Sequence, residues 1–130
     1  PASACGPLIE WQHIAHAVDA TLPERVLVRT YQHMPTDRWD PQLTGYAADT
    51  VEQLAQRGVR LIGIDTASID PADSKALPSH QTIRRNDMRV LENLVLDAVP
   101  EGDYELIALP LKLVQADASP VRAVLRALPQ

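Results

Sequence analysis

Two short apolar runs constrain this chain more than any other feature. Residues 25–30, Arg25-Val26-Leu27-Val28-Arg29-Thr30, place Val26 and Val28 on one face of an extended segment and Leu27 on the other. Residues 59–65, Val59-Arg60-Leu61-Ile62-Gly63-Ile64-Asp65, repeat the pattern. Strands apolar on both faces have to be covered on both faces. Between them, residues 47–57 carry Val51, Leu54 and Ala55 at helical spacing, and Gly58 stands where glycine commonly closes a helix. Strand, long connection, helix, strand is the order of a crossover unit with parallel pairing, although other topologies stay open. The expected fold class is α/β.

The remaining elements follow from spacing and punctuation. Leu8, Ile9, Trp11, Ile14, Ala15 and Val18 predict a helix over residues 8–19. Three Pro/Gly punctuators and two Asp make residues 32–46 a long loop. Residues 66–74 form a polar loop at the carboxyl end of the second strand, where ligands tend to sit in open α/β sheets. Ser79 is placed to cap a short helix from His80 to about Asn86. Residues 104–109 and 121–128 read as strands, with a loop bracketed by Pro110 and Pro120 between them.

A length of 130 residues with 45 % apolar residues suits one domain with a core. A net charge of −5 argues against a nucleic-acid partner, and the absence of Phe argues against a base-stacking platform. No apolar run approaches membrane-spanning length, and the first residues lack the pattern of a secretory leader. The single Cys5 excludes an intramolecular disulfide and suits a reducing compartment; with no nearby His it reads as a structural or incidental thiol. The first residue is not Met, so the expectation is an interior piece of a longer chain.

The candidate chemistry centres on His80 and Glu92. An imidazole and a carboxylate are both ligands for first-row metals. In one unbroken helix they would lie about 18 Å apart along the axis and about 120° apart around it. Sharing an ion therefore requires the chain to fold back, and Asn86-Asp87 is the expected break. By spacing alone the pair reads more often as two surface residues. Glu92, however, sits in an apolar run where an unpaired carboxylate is costly to bury. Two ligands fall short of the three or four that zinc needs. Asp65, which closes the second strand, divides evenly between a site and a turn contact; Asp70 and Asp73 favour turn or cap contacts. His13 and His16 favour solvent or packing roles, and His33 stands in no motif.

Several separate stretches carry a family resemblance: Gly63-Ile64-Asp65-Thr66-Ala67-Ser68-Ile69-Asp70-Pro71, Leu91-Glu92-Asn93-Leu94-Val95-Leu96-Asp97, residues 102–112 and residues 117–125. Together with Val28-Arg29-Thr30 and Arg38-Trp39 they resemble the bacterial kynurenine formamidases, within the cyclase-like metal-dependent hydrolases. The resemblance runs through essentially the whole chain. It implies a swivelling β/β/α domain with a mixed, barrel-like sheet flanked by helices. It implies hydrolysis of N-formylkynurenine to kynurenine and formate, a zinc centre with two ions per subunit, and a cytoplasmic homodimer. The two late-chain metal ligands of that family fall on His80 and Glu92. Asp65 and Ser68 are the candidates for orienting His80 through its other ring nitrogen.

The chain departs from the family pattern in one respect. The motif H-x-G-T-H-x-D-x-P-x-H, which carries most ligands and the catalytic histidine, is absent. The expectation is therefore a C-terminal portion, 1–130, of one hydrolase domain, whose partner is the N-terminal segment of the same protein. No catalytic residue is expected within it, and by itself it should be inactive with exposed sheet edges. The rival readings are a related hydrolase acting on another amide or ester, and a non-catalytic interaction domain.

Overall fold

The computed structural model describes residues 6–18 and 22–129. Cys5 and Asp19 lie outside them. The chain divides into two compact units, one running to Asp97 and the other starting at Ala98.

In the first unit, β2 (Arg25–Val28), β4 (Leu61–Ile64) and β5 (Arg89–Leu91) form a parallel sheet in the order β2-β4-β5. Its register sets Val28 beside Ile64 and Gly63 beside Leu91. Parallel neighbours need crossovers, and helix α2 (Ala48–Gln56) and helix α3 (Pro78–Arg85) supply them. The expected parallel unit is thus present. A smaller parallel pair joins β1 (Leu8–Ile9) to β3 (Gly45–Tyr46).

Helix α2 buries Thr50, Val51 and Leu54, the three- and four-residue spacing of one helical face. It ends as the sequence anticipates. Gly58 adopts φ +91°, its N–H bonds Ala55 O, and Val59 N–H bonds Leu54 O. These are the paired bonds of a Schellman turn. The core gathers Ile9, Tyr46, Val51, Leu54, Ile62, Ile64 and Ile69, all essentially inaccessible to water.

Two expectations are corrected. The helix anticipated over residues 8–19 shrinks to α1 (Trp11–Ile14), because Leu8 and Ile9 pair as a strand with Gly45 and Tyr46. Pairing across 37 positions outweighs local periodicity there. Ser79 does not cap α3. Leu77 holds the cap position at φ 48°, Pro78 takes the first helical position, and the Ser79 hydroxyl donates to Tyr46 O at 2.7 Å.

The second unit is an antiparallel hairpin, β6 (Tyr104–Pro110) with β7 (Val121–Ala127); the sequence anticipates both strands but not their pairing. Glu105 and Arg126 form an ion pair across it. Leu109, Leu113 and Val114 are exposed. Among the described residues, β6 and β7 pair only with each other.

Candidate metal centre

The anticipated break between His80 and Glu92 is a second Schellman turn. Asp87 takes φ 49°, Asp87 N–H bonds Arg84 O, and Met88 N–H bonds Ile83 O. Met88 and Ile83 are both buried, the apolar contact that accompanies such turns. The left-handed residue is Asp87; Asn86 stays at φ −96°. The chain then returns along β5, and Glu92 follows at its carboxyl end. The loop after β4 ends beside it.

This reversal brings His80 Nε2 to 3.4 Å from Glu92 Oε1. Both side chains are partly open to solvent, at 35 % and 27 %. The separation is long for a hydrogen bond. It is close to the spacing of about 3.3 Å between two ligands at one tetrahedral zinc. The pair fits an ion in donor type and in distance. Among the described residues, no third His, Cys, Asp or Glu completes a set of three.

Each donor is held from behind. Glu92 Oε1 accepts the Ile69 N–H at 2.9 Å. Asp70 Oδ1 accepts the Ser79 N–H at 3.0 Å, and Oδ2 accepts the His80 N–H at 3.0 Å. The Asp70 carboxylate therefore serves the open N–H groups at the start of α3, where a negative charge is favoured. The same Oδ2 meets His80 Nδ1 at 2.7 Å. Burial raises the Asp70 pKa; the bonds from Ser79 and His80 outweigh it and hold the carboxyl below the usual range.

The other anticipated acceptors stand elsewhere. Asp65 is fully buried and takes the Thr30 N–H at 2.8 Å, the Thr30 hydroxyl at 2.7 Å and the Tyr31 N–H at 2.9 Å. It ties the end of β2 to the end of β4. Ser68 Oγ accepts the Asp70 N–H at 3.0 Å, one contact behind the acceptor itself. The turn and cap contact anticipated for Asp70 is present, and its bond to His80 is what sequence reasoning missed. The only signal was an Asp ten positions before a His, across a proline-bearing loop. His13 Nδ1 accepts the Glu10 N–H at 2.9 Å, and exposed His33 lies 3.5 Å from Asp97. Neither approaches a ligand cluster.

Three comparisons set this geometry among known proteins. A solved structure described as a potential metal-dependent hydrolase with cyclase activity matches at a TM-score of 0.83 and 32 % identity, over 95 % of this chain and 60 % of that one. An isatin hydrolase bound to a product analogue matches at 0.75 and 25 % identity, over 93 % of this chain and 54 % of that one. Over the region it spans, the chain is thus similar in fold to solved structures described as metal-dependent hydrolases. Its sequence there is similar to those of kynurenine formamidases. It is 73 % identical to the kynurenine formamidase of Paracidovorax citrulli over 124 residues, and 75 % identical to that of Delftia acidovorans over 123. These alignments cover 93 % and 95 % of the chain but only 57 % and 58 % of the relatives. No family model matches.

Proposed function

We propose that this chain is the C-terminal portion of a zinc-dependent arylformamidase that hydrolyses N-formylkynurenine to kynurenine and formate. The observation that carries the reading is 73 % identity to a kynurenine formamidase, combined with two metal-ligand side chains brought face to face. In the whole protein, chain outside these 130 residues would supply the remaining ligands for two zinc ions and the histidine that passes a proton to the leaving nitrogen. The complete domain is a barrel-like swivelling β/β/α fold, working as a cytoplasmic homodimer.

A formamide is a resonance-stabilised amide, and water is a weak nucleophile at neutral pH. A bound zinc lowers the pKa of water to about 7 and polarises a carbonyl oxygen. His80 would hold the ion through Nε2 and Glu92 through Oε1. Ile69 keeps the Glu92 oxygen from swinging away, and the Asp70 carboxylate meets His80 Nδ1 at 2.7 Å. The ligands are thus preorganised by bonds already made.

The likeness to an isatin hydrolase favours a second reading, hydrolysis of another amide. Turnover of N-formylkynurenine by the whole protein, set against isatin and simple aryl esters, decides between them. His80→Ala and Glu92→Ala should each lower bound zinc and formamidase turnover. Full zinc and normal turnover in both would overturn the site.

A further inference from the structure

Asp70 is fully buried, and the structure gives its carboxylate more to do than cap a helix. Its Oδ2 receives two contacts from one residue, the His80 backbone N–H at 3.0 Å and the His80 ring at Nδ1, 2.7 Å away. An ionised carboxylate only accepts hydrogen bonds, so the Nδ1 contact requires the proton on the ring nitrogen. A neutral imidazole carries one N–H. Its Nε2 is then left with a bare electron pair on the side facing Glu92.

We infer that Asp70 is a positioning residue. It fixes His80 as the Nδ1–H tautomer, pins the ring rotamer through the paired contacts, and presents Nε2 as a donor atom beside Glu92. The inference deepens the proposed site and rests on His80 being a ligand. The neighbouring Ile69 does the same for Glu92 through its N–H, so one dipeptide sets both donors. That dipeptide is itself held. Ile69 O accepts the Tyr46 N–H at 2.7 Å, and Ser68 Oγ accepts the Asp70 N–H. A helix cap alone would need only the Ser79 and His80 backbone contacts; the ring contact is the excess that marks a further role.

The test reads the tautomer directly, in the metal-free whole protein with labelled histidine nitrogens. The measurement is made at a pH where the His80 ring carries one proton, with the signals assigned by comparison with His80→Gln. Nitrogen shifts should show Nδ1 protonated and Nε2 bare. Asp70→Asn should invert them, as loss of the carboxylate does at other Asp–His pairs, and raise the zinc dissociation constant about 10- to 100-fold. Ser79→Ala removes a bond to Tyr46 while keeping Asp70; it should lower stability and leave tautomer and zinc affinity in place. An Nε2–H tautomer in the unsubstituted protein overturns the inference even if no variant folds. So does an Asp70→Asn protein with both readouts unchanged, or a Ser79→Ala protein that shifts them equally. The expected tautomers and affinities without turnover of N-formylkynurenine would support the Asp70 role and overturn the proposed substrate.

Discussion

The Ile69 N–H donates to Glu92 Oε1 across 23 positions of sequence, at 2.9 Å. The bond fixes a carboxylate that local spacing leaves unconstrained, at the mouth formed by the ends of β4 and β5. It also separates two properties of Glu92, an acceptor for the backbone and an anion for a cation.

Glu92→Gln tests that separation. The amide keeps an oxygen for the Ile69 N–H but loses the charge. Denaturant unfolding of the metal-free protein should change by less than about 1 kcal/mol, the range of a neutral hydrogen bond. Zinc bound per chain should fall markedly, as read by elemental analysis after dialysis.

Gly45→Ala tests the support of the Ile69-Asp70 dipeptide. A Cβ at Gly45 would meet Ile69 O at 2.5 Å, and backbone cannot yield as a flexible side chain does. Overpacking of this kind costs about 1–3 kcal/mol. The variant should lose that stability and bind zinc more weakly, although residue 45 touches neither donor.

Asp65→Ala tests the tie between β2 and β4. Three donors, the Thr30 N–H, the Thr30 hydroxyl and the Tyr31 N–H, would lose a charged acceptor. Hydrogen bonds to charged groups are worth about 1.5–3 kcal/mol each, so a loss of about 3 kcal/mol or more is expected in urea unfolding. A change under 1 kcal/mol would contradict this account.

Tyr46 gives the chain an alkaline limit. Burial first, and then the Asp65 charge, push its hydroxyl far above the ordinary range. The folded chain keeps that proton where the unfolded chain gives it up, at about pH 10. Stability from this group is whole below about pH 10 and declines as pH rises above it. Tyr46→Phe removes the bond to Gly63 O at 3.2 Å and should cost about 0.5–1.5 kcal/mol near neutrality. It should also flatten the alkaline decline. Tyr31, raised by burial and by its bond to Asp40, leaves part of that slope in place. Unfolding free energies between pH 8 and pH 11 check both effects.

Much of the fold is legible where a segment's periodicity and its punctuation agree. Val51, Leu54 and Gly58 announce α2 and its end, and the run through Ile62 and Ile64 announces β4. Leu8 and Ile9 mislead because two residues satisfy helical spacing as readily as a short strand, and only contact with Gly45 and Tyr46 decides. The break at Asn86-Asp87 is legible because turn chemistry is local. Ser79 misleads because the carboxylate that receives its N–H is nine positions upstream. The Asp70–His80 bond is illegible for a related reason: a buried loop acid spent on the start of a later helix looks, in sequence, like any polar loop residue. The family likeness is legible because it rests on several separate stretches, and relatives at 73 % and 75 % identity match them.

The left-handed turn at Asp87 sets how little of the chain the two candidate ligands draw on. It lets β4, α3 and β5 close as one continuous segment, so both donors and both groups that hold them come from a single βαβ unit. Closing a loop of this length costs little entropy compared with recruiting distant strands. His80 and Glu92 stand 3.4 Å apart through this one unit, so bringing the two side chains together draws on no strand from elsewhere in the chain.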